Sequence, residues 1–160
     1  MASAYAKGFG RTSRDHCLFK KITMDTTKLL LGTIAGGIVY WLLGGLFFIV
    51  VFGSYFTANA GSPEAIKEPV EMWAIVVGCL LYALFLTYVY LKWAGIKTLS
   101  SGAKAGAIIG LMLGLSFNFI RFGGSNFFGS VVPLLVDGVV LSVMSAGAGA
   151  AIGWVLGRGE

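Results

Sequence analysis

The stretch VVPLLVDGVVLSVMSAGAGAAIGWVL, residues 131–156, decides how this chain is read. Its 26 residues carry a single charge, Asp137. About 20 apolar residues suffice for a helix to cross the hydrocarbon of a bilayer, so the stretch reads as a transmembrane helix. Three similar runs precede it, at residues 29–56, 70–91 and 103–121.

Composition agrees. Hydrophobic residues make up 57% of the 160-residue chain and charged residues 12%, with a mean hydropathy of +0.85. Soluble domains carry about twice that share of charge. Only helices and closed barrels satisfy every backbone group in lipid. Barrel strands alternate polar and apolar residues over about ten positions, and these runs are apolar on all sides. The expected fold is therefore an all-α integral membrane protein. It is a four-transmembrane-helix bundle built from two helical hairpins, helices one and two followed by three and four. Residues 1–27 form a polar basic N-terminal segment, and residues 28–160 form the transmembrane domain.

The net charge of +5 is an orientation signal. Lys7, Arg11, Arg14, Lys20, Lys21 and Lys28 precede helix one, Lys92, Lys97 and Lys104 lie between helices two and three, and Arg158 follows helix four. The opposite side has Lys67 and Arg121, with the acidic residues Glu64, Glu68 and Glu71. The positive-inside rule then places both termini in the cytoplasm. The basic balance also favours anionic lipid headgroups. No patch interleaves bases and aromatics, so nucleic acid is not an expected partner.

The N-terminal segment lacks the apolar core of a secretory signal. Met24 offers an alternative start, since Met24-Asp25-Thr26-Thr27-Lys28 leads directly into the first apolar run. Cys17 and Cys79 face different media and are not expected to pair. In the loop after helix one, Ser62 and Pro63 suit the cap and first position of a short helical turn. Trp73 and Trp93 bracket helix two, 20 residues and roughly 30 Å apart, which matches the hydrocarbon thickness. With Trp154 they are expected to anchor the helices at the interfaces.

Helix three has the clearest pattern. Gly102, Gly106, Gly110 and Gly114 recur at every fourth position and so form one flat ridge. In lipid, glycine serves chiefly to let another backbone approach closely. Helix four carries two adjoining ridges of small residues, Gly138-Ser142-Ala146-Ala150 and Ser145-Gly149-Gly153-Gly157. Close helix–helix packing at these ridges is expected, within the chain or between copies.

Asp137 lies six residues inside helix four, roughly 9 Å below its outer end. A carboxylate there needs compensation, since an ionised side chain at a helix centre costs about 2.5–3.5 kcal/mol even on lenient scales. Extending the glycine ridge of helix three leads to Asn118 and then Arg121. These two residues are the expected partners in a polar clasp, with Ser116 and Ser142 as further polar groups nearby. Three roles are open to Asp137: a structural clasp between two glycine-packed helices, a site for a proton, cation or polar ligand, and a contact to another subunit.

No nucleophile set, phosphate-binding loop or metal-ligand spacing is present, and His16 is the only histidine. Neither an enzyme nor a cofactor is expected. The chain reads as a small polytopic protein of a bacterial inner membrane. Its expected role is a structural or accessory component of a membrane assembly or homo-oligomer, partnered by lipid and by another membrane protein or itself. The alternative is a small transporter or channel with Asp137 as its site.

Overall fold

The computed structural model describes residues 26–62, 67 and 69–158. Met24, His16 and Cys17, and the acidic Glu64 and Glu68, lie outside the described residues. So does Pro63, the first residue of the helical turn expected after Ser62. Among the described residues the chain is all-helical, with four helices long and apolar enough to cross a membrane.

Helix α1 spans Thr26–Gly45 and continues through a π-helical turn, Leu46–Val51. The chain then bends at Phe52 and adds one short helix, α2, at Gly53–Ala58. The wide turn follows the pair Gly44-Gly45, where the backbone is least restrained. Helix one is thus two pieces rather than a single rod to residue 56. Helix α3, Met72–Val89, also widens into a π-helical turn at Tyr90–Ala94. It stops at Gly95, whose φ of 58° is the left-handed conformation that glycine adopts without strain.

Helix α4, Leu99–Gly124, begins earlier than the apolar run does because Thr98 caps it. The Thr98 hydroxyl accepts a hydrogen bond from the Ser101 amide at 3.2 Å, satisfying one of the free donors of the first turn. Helix α5 is Val131–Gly157. Pro133 falls in its first turn, where a missing N–H breaks no helical bond.

The helices pack in the spatial order α4, α5, α1, α3. Helix α5 packs most extensively on α4 and also on α1, and α1 packs on α3. The glycines explain how. Gly102, Gly106, Gly110 and Gly114 are all buried and face α5. A Cβ at Gly102 would run into the carbonyl oxygen of Gly149, and one at Gly106 into that of Ser145. On α5, a Cβ at Gly153 would meet Thr98, and one at Gly138 would meet Leu115. The two backbones therefore pass within van der Waals contact, head to tail. On α1, Gly32, Gly36 and Gly37 are buried in the same way, against Thr87, Ile152 and Leu80.

The half of the bundle that holds the start of α1 and the end of α5 is tightly filled. Leu86, Tyr90, Ile152 and Leu156 form its core, each essentially without exposure. The Tyr90 hydroxyl donates to the Gly102 carbonyl oxygen at 2.7 Å, tying α3's end to α4. Bulky apolar side chains such as Leu31, Ile38, Leu81, Ile108 and Val139 cover the outside. That is the reverse of a soluble protein, and it suits lipid.

Candidate functional site

Toward the other end the helices spread and enclose a partly open cavity of about 880 Å³. All four long helices line it, and Asp137 and Asn118 stand on its wall. The two loops above it are tied together. Ala60 and Phe128 form an antiparallel β-bridge, with the Gly61 amide donating to Phe127 and the Gly129 amide to Asn59. Asn59, Ala60, Phe127 and Phe128 all line the cavity, so this pairing forms its roof.

The central polar contact joins α4 to α5. Asn118 Nδ2 donates to Asp137 Oδ2 at 2.6 Å and to the Leu134 carbonyl oxygen at 3.2 Å. Both side chains are buried, Asn118 at 2% exposure and Asp137 at 8%. One amide thereby satisfies a carboxylate oxygen and a carbonyl from successive turns of α5. Among the described residues nothing donates a hydrogen bond to Asp137 Oδ1. No side-chain polar atom among them is sealed away without a partner, so Oδ1 keeps some exposure, and its residue lines the cavity.

Arg121 does not complete the clasp. Its guanidinium makes no ion pair with Asp137 and instead lies over the Phe127 ring, 3.6 Å from the ring centroid. At the exposed end of α4 the guanidinium keeps access to water and gains a cation–π contact, whereas reaching down to Asp137 would strip its hydration. It still lines the cavity, and its charge acts on Asp137 across it. Ser116 is exposed on α4 and is no part of the wall. Ser142 points elsewhere too, donating to the Ala107 carbonyl oxygen at 2.9 Å in the α4–α5 seam.

A second polar group lies on the same cavity and combines residues that the sequence does not bring together. Tyr82 of α3 donates to Ser145 Oγ at 2.8 Å, and Ser145 donates to the Leu141 carbonyl oxygen at 2.6 Å. The Tyr40 ring of α1 lies 4.8 Å from that of Tyr82. Ser145 reads in sequence as one more small residue of a ridge. The available signal was Tyr82 itself, a mid-helix hydroxyl that must find an acceptor.

Trp73 and Trp93 stand exposed at opposite ends of α3, and Trp154 near the end of α5 stacks with Arg158 at 3.4 Å. Among the described residues no group of three or more His, Cys, Asp or Glu side chains comes together. Compared with family models, with curated proteins and with solved structures, the chain shows no match in any of the three.

Proposed function

We propose that this chain is a small integral protein of a bacterial inner membrane that works by binding, as a structural or accessory component of a larger assembly or homo-oligomer. In this reading it consists of two helical hairpins with both termini cytoplasmic, an orientation supported by the basic residues at Lys92, Lys97, Lys104 and Arg158. The observation that carries the reading is the contrast between the two halves of the bundle. The half holding Tyr90, Gly102, Gly149 and Ile152 is close-packed with backbone against backbone, and the cavity ends above it. A conducting path through the bilayer has no room there. The glycine ridge of α4 is used on α5 within the chain, so a partner would meet other apolar surface, which all four long helices expose.

Solubilisation from the native membrane in a mild detergent, followed by intact-complex mass measurement, tests this. A stoichiometric membrane-protein partner or a defined homo-oligomer is the expected result. A monomer that carries no protein partner under several detergents contradicts it.

A second reading is favoured by one observation, the placement of Asp137 on the wall of a large cavity. An intramembrane carboxylate with a free acceptor is the usual element of a proton or cation site. Under this reading the chain is a small transporter whose inner half opens in another conformation. Ion flux separates the two readings.

A further inference from the structure

We propose that the cavity is a binding site for a neutral, hydroxyl-bearing lipid, taken in sideways from the bilayer, whose hydroxyl donates to Asp137 Oδ1. The site stands whether or not the chain works inside a larger assembly.

Polar chemistry sets the headgroup. Asp137 Oδ2 is occupied by Asn118, and the remaining oxygen, on a cavity-lining residue that is 8% exposed, is not sealed and has no donor among the described residues. A ligand must therefore bring the donor. Asp137 and Arg121 line the same cavity with opposite charge. With Asp137 ionised, a fatty acid and an amphiphilic amine each meet one like charge beside one opposite charge, whereas an uncharged hydroxyl meets no repulsion. The Asn118 amide is already engaged twice, so it cannot supply an anion site.

Shape and surroundings set the body. A volume of about 880 Å³ falls within the range of roughly 300–1,000 Å³ typical of small-molecule sites. Most of the wall is aromatic and aliphatic, including Phe48, Phe56, Leu113 and Met144. The paired loops close the cavity from above, and the close-packed half closes it from below. Its side is open. Helix α4 packs substantially on α5 alone among the long helices, so the flank between α3 and α4 is left unsealed. Phe117 of α4 and Ile75 of α3 both line the cavity, yet are 62% and 44% exposed, which places them at its mouth. That mouth faces hydrocarbon, and what enters there is lipid-soluble.

The test uses the full chain in phospholipid nanodiscs and a 1-monoacylglycerol carrying a mid-chain diazirine, with crosslinks located by mass spectrometry. Chain-matched diazirine fatty amine and fatty acid are the comparison probes. The expected result is labelling of Phe117, Leu113 or Met144 by the glyceride, suppressed by unlabelled dioleoylglycerol. Asp137→Leu removes the acceptor and should cut labelling about fivefold or more, the worth of one hydrogen bond. Asp137→Asn keeps its one oxygen on Asn118 and presents an amide N–H instead, which a hydroxyl can meet by accepting, so labelling should change by less than about twofold. Gly45→Leu provides a variant away from Asp137. Gly45 lines the cavity and a Cβ on it meets nothing within 4 Å, so the added side chain puts bulk at the cavity wall without displacing a neighbour at its Cβ. It should lower cavity labelling while the helical circular dichroism stays that of the wild type. Labelling confined to the outer faces of α1 and α3, equal in all variants, overturns the site. Stronger cavity labelling by the amine, abolished in Asp137→Asn, overturns the neutral headgroup.

Discussion

Asn118 of α4 donates a 2.6 Å hydrogen bond to Asp137 of α5, and among the described residues no other side chain does so. Because the same amide also holds the Leu134 carbonyl, one residue helps to fix the register of two helices that otherwise meet through glycine contacts and the Ser142–Ala107 hydrogen bond. The contact makes unequal demands on its two members. Asn118→Leu leaves a buried carboxyl without its side-chain donor and removes the extra bond to the Leu134 carbonyl, and should destabilise the protein by about 1–2 kcal/mol. Asp137→Asn retains an acceptor for Asn118 and should lose less than about 1 kcal/mol. In the Asn118→Leu/Asp137→Leu double variant much of the loss should return, since both polar partners are gone. Unfolding in mixed micelles measures all three, and strictly additive effects would show that the pair is not coupled.

The glycines of α4 and α3 should behave in opposite ways. Gly106→Ala places a carbon against the Ser145 carbonyl oxygen, a backbone atom that cannot swing aside. The expected loss is about 1–3 kcal/mol, the usual range for overpacking. Gly78→Ala on α3 meets open space, and better helix propensity should make it neutral or stabilising by up to about 1 kcal/mol. Equal effects at the two positions would show that α4 does not touch α5 through this face.

Tyr82→Phe removes a hydroxyl that reaches from α3 to Ser145 across the cavity. Hydrogen bonds between membrane helices average about 0.6 kcal/mol and reach about 1.7 kcal/mol, so a loss in that range is expected. Tyr90→Phe should fall at the upper end, because the Gly102 carbonyl it bonds is buried in the close-packed half. Loss of more than about 3 kcal/mol at Tyr82 would mean that the residue holds the bundle together rather than one wall of it.

How much of this was legible in the sequence depends on the range of the interaction. Four helices follow directly from apolar runs of bilayer length, because lipid demands them locally. The bend at Phe52 was not legible, since an apolar run reads the same through a π-helical turn as through an α-helix. Asn118 could be named beside Asp137 because a spacing of four residues defines a face, and a face is local information. Arg121 misled for the same reason. Its position on that face is real, but the choice between Asp137 and the Phe127 ring is made by a loop whose path no periodicity encodes. The cavity itself was not legible. It arises from how far α4 spreads from α1 and α3, and the sequence records helices far better than the gaps between them. Ser145 and Tyr82 meet across 63 positions of chain, and only the demand of a buried hydroxyl hinted at the contact.

On the proposed function the bundle binds without conducting, because the half around Tyr90, Gly102 and Gly149 is closed by backbone contact. The most direct measurement is proton and cation flux into liposomes holding the purified chain, wild type beside Asp137→Asn, under an imposed pH gradient and membrane potential. Both proteins should leave the leak of empty liposomes unchanged. Flux above that background in the wild type, abolished in Asp137→Asn, would contradict the account and make Asp137 a transport site.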